Sequence, residues 1–449
     1  MSAKIYIFLS SSIADDVCRV RRPLILLIKK DLMILKFLGG AQEVGRSGVL
    51  LSDSKNFLFD YGVKLDHKTE YPMDAGRIDA FLLSHAHLDH SGMAPALYNE
   101  AVLPSFGTAP TAELAELLLN DSLKIARKEH KQEKFHRRQM KSFIKHYVSV
   151  EYSGRVSLGG HSVEFHDAGH ISGSAVILLE REKAKDNKRV LYTGDFKLQG
   201  QLLHDGADIV KSDVLITEST YAYKDHPDRK AIIRDFIDKI RAVLQNGGNA
   251  LLPVFAVGRG QEILAMLYEG GLADSVYVDG MVKAATQIVR KYPQFISKPD
   301  LLEKSLKKAS LVVDRSDREI ALSEPSIIVT TAGMLNGGPV LDYITRLNDS
   351  SKIFLTGYQI EGTNGSTLLK SGKINLDGKT RRITNPVELF DFSAHAGMDD
   401  LYRYVRESSP NVVICMHGSE ENTKLLAEKL DGEGFKTYAP GFGERIELE

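Results

Sequence analysis

Short apolar runs that stop at a polar residue set among small ones recur along this chain. Ile78–Leu83, apolar except for Asp79, has the length of a buried strand and opens into Ser84-His85-Ala86-His87-Leu88-Asp89-His90. Before it, MILKFLGG from Met33 and VLLSDSKNFLFDYG from Val49 read as antiparallel strands joined by turns, with Asp60 closing the run Phe57–Phe59. Further on, Val163–Phe165 leads into HDAGHISGS with His166 and His170, Arg189–Tyr192 into TGDF with Asp195, and Leu215–Thr217 into EST with Glu218. Strand, polar end residue, then small residues that admit a ligand: the repeated arrangement points to a shared site. The intervening stretch Met93–Tyr147 reads as mostly helical.

From Tyr221 to about Lys379 the pattern becomes strand, glycine loop, helix, which predicts a parallel α/β sheet. Asn249–Val254, Ser275–Asp279, Ser326–Thr330 and Lys352–Leu355 are its predicted strands. Glycine loops before helix N-termini can hold phosphates through backbone N–H groups, with Arg259 placed to help; ordinary βα turns account for the same glycines. Val387–Phe390, entering DFSAHAG with His395, and Asn411–Met416, entering HGSEE with His417, return to the first pattern, so one α/β unit is inserted within another. Residues 1–32 match neither a secretory signal nor the strand pattern. Folding is expected to begin near Met33, with a short amphipathic or strand-like appendage as the competing view.

At 449 residues the chain suits two domains, and 43% hydrophobic with 26% charged residues is an ordinary globular composition. Lys and Arg (58) nearly cancel Asp and Glu (59), so any nucleic-acid contact rests on a local patch. Lys124–His146, with nine Lys or Arg against Glu129 and Glu133, is such a patch; it reads either as a guide for a polyanion or as a solvated helix face. Cys18 and Cys415 form no disulfide framework and suit a reducing cytoplasm. No apolar stretch reaches membrane-spanning length.

The candidate chemistry lies in His85, His87, Asp89 and His90. Strand alternation puts His85 and His87 on one side, about 7 Å apart along the chain, so both imidazoles can reach one ion. Asp89 and His90, further round the turn, face a neighbouring position. Zinc takes such nitrogen and carboxylate ligands tetrahedrally and leaves a place open for water in catalytic sites. A histidine-rich solvated loop is the bland alternative. Asp60, taken alone, is a turn carboxylate.

Taken together, SHAHLDH, AGHISGS, TGDF, TEST, SAHA and MHGSEE, in this order and with Asp60 ahead of them, resemble the β-CASP nucleases of the metallo-β-lactamase fold, from about Met33 to the end. The chain looks most like the short archaeal relatives of the cleavage-and-polyadenylation endonuclease that lack a KH region. FLGGAQEVGRSG departs from the GKN-type opening of ribonuclease J, the second choice. The resemblance implies an α/β fold: a metallo-β-lactamase αββα sandwich (33–222 and 384–449) interrupted by a parallel-sheet β-CASP domain (223–383), after an extension at 1–32.

Carried over by position, it implies one zinc ion on His85, His87 and His170 and a second on Asp89, His90 and His417, two per chain, with Asp195 bridging them. Asp60 would orient the ligands. His395, oriented by Glu218, would be the general acid, and Asp89 counts with them among the catalytic residues. Two such ions activate a shared water for in-line attack at phosphorus. The implied products carry 5′-phosphate and 3′-hydroxyl ends, from an endonuclease with 5′ to 3′ exonuclease action as a further possibility. The implied substrate is single-stranded RNA, since His417 resembles the RNA-cleaving members. A homodimer, an RNA-processing or exosome-type complex, and a cytoplasmic, non-membrane location complete the expectation. The alternatives are a small-ester or thioester hydrolase on the same scaffold, and a non-catalytic subunit of an RNA-processing complex.

Overall fold

The computed structural model describes residues 32–65, 69–98, 102–182 and 188–448. The expected N-terminal extension falls, but for Leu32, outside the described residues. The first strand, Met33–Gly39, buries Met33, Leu35 and Phe37 on one face, while Ile34 and Lys36 on the other are half-buried. It pairs antiparallel with Gly48–Ser52 on one side and Arg445–Leu448 on the other. Asn56–Phe59 follows antiparallel to Gly48–Ser52, and Ala80–Leu82, Ser105–Gly107 and Tyr147–Ser149 then add in parallel, completing seven strands.

A second seven-stranded sheet runs Lys436–Tyr438, Val412–Met416, Val214–Glu218, Arg189–Tyr192, Ala175–Arg181, His161–Asp167, Arg155–Ser157. Phe37, Phe57, Phe59 and Leu82 of the first sheet meet Phe165, Ile177, Val190, Ile216 and Ile414 of the second in one core. Helices Ala109–Lys128 and Arg137–Lys145 cover the first sheet; Met398–Ser408 and Glu420–Gly432 cover the second. The result is an αββα sandwich. A third, all-parallel sheet is inserted: Ser310–Leu311, Val276–Val278, Ile327–Thr330, Ala250–Pro253, Lys352–Leu355, Val387–Leu389.

The fold class that the resemblance implied is the one observed, with the inserted parallel sheet that the pattern predicted and with local differences. Met93–Tyr147 contains, besides its helices, the strand Ser105–Gly107, which at three residues is too short to show a period. The strand before His170 runs on to Asp167, so His166 lies in the sheet and not in the loop. Val387–Leu389 pairs with Lys352–Leu355 in the inserted sheet, so the chain returns to the sandwich only after it. A three-residue strand, here Val-Glu-Leu, carries no mark of which sheet it will join.

What positions the site is strand direction. Asn56–Phe59 and Ala80–Leu82 are parallel, so Asp60 and His85 leave the first sheet at the same end. Val214–Glu218 lies parallel between Arg189–Tyr192 and Val412–Met416, which brings Asp195, Glu218 and His417 out together. Phe57, fully buried and edge-on to His161 at 4.9 Å, ties the two sheets together. Phe57→Ala should cost about 3–5 kcal/mol in urea unfolding followed by circular dichroism, and a loss below about 1 kcal/mol would contradict this packing.

Candidate metal centre

The sheet ends converge on Asp195. Its carboxylate is 2% exposed, and its two oxygens look in different directions. Oδ1 lies 3.0 Å from His417 Nδ1 and 3.3 Å from His90 Nε2; Oδ2 lies 3.6 Å from His85 Nε2 and 3.9 Å from His170 Nε2. Potential ligand atoms of His85, His87, His170 and Asp195 all fall within 4.8 Å of one another, and so do those of Asp89, His90, Asp195 and His417. Gly194, at φ +53°, allows this approach: a Cβ there would sit 2.7 Å from the Ser84 side chain, beside His85.

The far side of several rings is already engaged. Asp60 Oδ2 accepts from His90 Nδ1 at 2.7 Å, from Ser84 Oγ at 2.7 Å and from Tyr192 Oη at 2.9 Å. Asp60 Oδ1 takes the Ser84 backbone N–H at 2.7 Å. His170 Nδ1 donates to the Ala394 carbonyl at 2.8 Å, which leaves a bare Nε2 that faces His87 Nδ1 at 3.1 Å. His417 Nε2 accepts from the Gly45 N–H at 3.4 Å. The contacts at His90 and His170 fix which nitrogen carries its lone pair inward.

The inward atoms have few partners beyond one another. His85 Nε2 is buried without a hydrogen-bond partner, a state that proteins tolerate rarely, and Asp195 Oδ1 meets only ring nitrogens of the cluster. Burial holds the His85, His87 and His170 imidazoles below their ordinary pKa, hence neutral and able to ligate. At His90 burial acts in the same sense, but Asp195, Asp60 and Asp89 outweigh it and drive the pKa well up; at His417, Asp195 likewise pushes it up to about 10. Despite burial, the histidines hold the Asp89 and Asp195 carboxyls below the usual carboxylate range. This negative focus draws cations, and three imidazoles with a shared carboxylate, or two imidazoles with two carboxylates, are donor sets that suit zinc.

Beside the cluster, His395 Nδ1 meets both oxygens of Glu218, at 3.0 and 3.1 Å, and Glu218 also accepts the Phe196 N–H. Glu218 raises the His395 pKa against the effect of burial. His395 remains 23% exposed, so its other nitrogen can meet a substrate. Sequence reading missed what holds it: Lys197 Nζ and His226 Nε2 both donate to the His395 carbonyl at 3.0 Å. Burial lowers Lys197 to about 8, with Arg229 and Arg259 adding to the shift. No spacing in the chain marks a contact to a main-chain oxygen.

Arg259 opens the helix Arg259–Glu269 behind Gly258, whose Cα abuts Ile171 of the His170 loop. Its Nη1 is buried without a partner, and burial together with Arg229 brings its pKa down to about 10. His166 is turned away, with Nε2 3.4 Å from Glu164.

This geometry defines a hydrolase centre of the metallo-β-lactamase type, and the comparisons with known proteins name its branch. The Beta-Casp domain matches residues 261–368, the Zn-dependent metallo-hydrolase RNA specificity domain 382–440, and the Anti-Pycsar protein Apyc1 family 41–226. The chain is 38% identical to Probable RNase MJ4 of Methanocaldococcus jannaschii (93% of this chain, 100% of the relative). It is 35% identical to RNase aCSPSF2 of Saccharolobus solfataricus (92% and 85%) and 33% identical to Transcription termination factor FttA of M. jannaschii (88% and 68%). A crystal structure of a protein of unknown function from Enterococcus faecalis shares the fold at a TM-score of 0.59 and 14% identity, covering 93% of this chain and all of that one. The chain belongs to the β-CASP ribonucleases of the metallo-β-lactamase fold, among the archaeal relatives of the cleavage-and-polyadenylation factor. That family is zinc-dependent, and the His/Asp cluster here suits such a metal.

Asp60 touches no inward-facing ligand atom but holds His90 and the Ser84 turn. Asp60→Asn should weaken zinc binding by about 10–100-fold in a chelator-competition titration, and an unchanged Kd would deny Asp60 this orienting role.

Proposed function

We propose that this chain is a ribonuclease that uses two zinc ions to hydrolyse single-stranded RNA, leaving 5′-phosphate and 3′-hydroxyl ends, endonucleolytic with 5′ to 3′ exonuclease action as a second mode. The observation that carries the proposal is Asp195, with one oxygen toward each set of ligands and His395–Glu218 alongside. His85, His87 and His170 would hold one ion, Asp89, His90 and His417 the other, with Asp195 shared. Zinc bound there supplies an activated water and draws off charge that builds on the phosphoryl oxygens.

The chain's own residues do the rest. Glu218 fixes the His395 ring through Nδ1, so a proton on Nε2 points to the open side, where it can pass to the departing 3′-oxygen. Lys197 and His226 hold the His395 main chain in place. Arg259, with unspent donor capacity beside the His170 loop, would contact an RNA phosphate. The RNase names of relatives that align over most of this chain favour RNA. A small-ester hydrolase has no need of the His395–Glu218 pair or of an inserted unit.

In the same reading, the inserted unit runs from residue 223 through the strand Val387–Leu389, slightly past the 383 expected from sequence. A homodimer, a role within an RNA-processing or exosome-type complex and a cytoplasmic location belong to it as well. No helix among the described residues is long and apolar enough to cross a membrane.

With 5′-labelled single-stranded RNA, His395→Ala should retain its zinc yet lose cleavage by about 10²–10⁴-fold. Full cleavage by this variant would remove His395 as the acid. Absence of cleavage by the zinc-loaded wild type would overturn the ribonuclease reading itself.

A further inference from the structure

The helix Arg137–Lys145 is built against its own stability. Gln139, Met140 and Phe143 face inward, and Phe143 packs edge-on against Phe81 of the strand that leads to His85. The opposite face carries Arg137, Arg138, Lys141 and Lys145, all exposed. Arg137 and Arg138 occupy the first turn, which has no acidic residue, although the positive end of the helix dipole disfavours cations there. Arg137, Lys141 and Lys145 repeat at i, i+4 and i+8, where like charges repel. None of the four has a carboxylate within ion-pair distance among the described residues, and Glu133, close by in sequence, is taken by Arg127 at 2.7 Å. Solubility alone would be served as well by a mixture of signs.

The head of the stripe is linked by contacts to the metal cluster. The strand Tyr147–Ser149 follows the helix directly and lies parallel to Ser105–Gly107 and, through it, to Ala80–Leu82, so its start, beside Lys145, lies at the end of the sheet away from His85. Arg137, Lys141 and Lys145 lead toward that start at intervals of about 6 Å. A chain of contacts joins the two places. Gly45 N–H reaches His417, the neighbouring Arg46 donates to the Tyr71 carbonyl at 3.2 Å, and Lys134 Nζ lies 4.7 Å over the Tyr71 ring.

We propose that this face, Arg137, Arg138, Lys141 and Lys145 with Lys134 at its head, is a docking track for the sugar-phosphate backbone of RNA outside the cleft. The inference rests on the ribonuclease reading for the identity of its partner. A row of cations, four of them without a carboxylate partner among the described residues, matches a row of phosphates, whose neutralisation releases counterions and offsets the repulsion built into the helix.

The test compares zinc-loaded wild type with R137E/R138E and with K141Q/K145Q. Binding of a long single-stranded RNA is followed by fluorescence anisotropy across salt concentrations, together with cleavage of that RNA and of an oligonucleotide short enough to fill only the cleft. The salt slope should fall by about 0.7 for each cation removed, and KM for the long RNA should rise on the order of tenfold. Short-oligonucleotide kinetics should not change, and the melting temperature of R137E/R138E should equal or exceed that of the wild type. An unchanged slope and KM would overturn the track. So would a lowered melting temperature with equal losses on both substrates, which would make the stripe structural, or a face that binds an acidic protein and not RNA. If wild type cleaves neither substrate, the ribonuclease reading fails, while the salt slope still decides whether the track binds RNA.

Discussion

A carboxylate buried among six imidazoles is the constraint on which the rest of the centre depends. Asp195 is removed from water, and its charge is answered only by ring nitrogens whose own burial opposes protonation. A buried charge of this kind is costly unless it is paired. Asp195 and its neighbouring carboxylates raise the pKa of His90 and His417, while burial lowers that of His85, His87 and His170. A bound cation would complete the balance, and the contacts from Asp60 and Ala394 hold the His90 and His170 rings in place.

The sandwich alone does not finish the site. Glu218 ends a strand of the second sheet, whereas His395 arrives from the inserted sheet just after Val387–Leu389. His395 and the carboxylate that holds its ring therefore meet only where the two units pack. Lys197 belongs to the loop after Asp195 and His226 to the crossing into the inserted unit, and both grip the same carbonyl. The Gly258 end of the inserted helix leans on Ile171 beside His170. The candidate ligands thus sit at strand ends of one unit, and the His395–Glu218 pair sits at the junction.

This division also explains what could be read from the residues. His85, His87, Asp89 and His90 lie within six residues, and His170, Asp195, Glu218 and His417 each follow or end an apolar run, so local pattern pointed to a shared site, while the family resemblance supplied the ligand sets and the place of Asp60. The parallel inserted sheet was legible for the same reason, through its alternation of strands and helices. Lys197 and His226 were not, because their partner is a backbone oxygen that only the docking of the units brings near. The strands Ser105–Gly107 and Val387–Leu389 were missed or misplaced since three residues show neither a period nor a sheet. The basic run Lys124–His146 was visible as composition, but which cations share one face became clear only once Met140 and Phe143 were seen to be buried.

The most direct test of the central claim is anomalous diffraction at the zinc edge from crystals of the zinc-loaded protein. Two peaks about 3.5–4 Å apart, one toward each oxygen of Asp195, are the predicted result. A single peak, or two peaks with Asp195 bound to neither or to only one, would contradict a shared carboxylate as the organising element of the site.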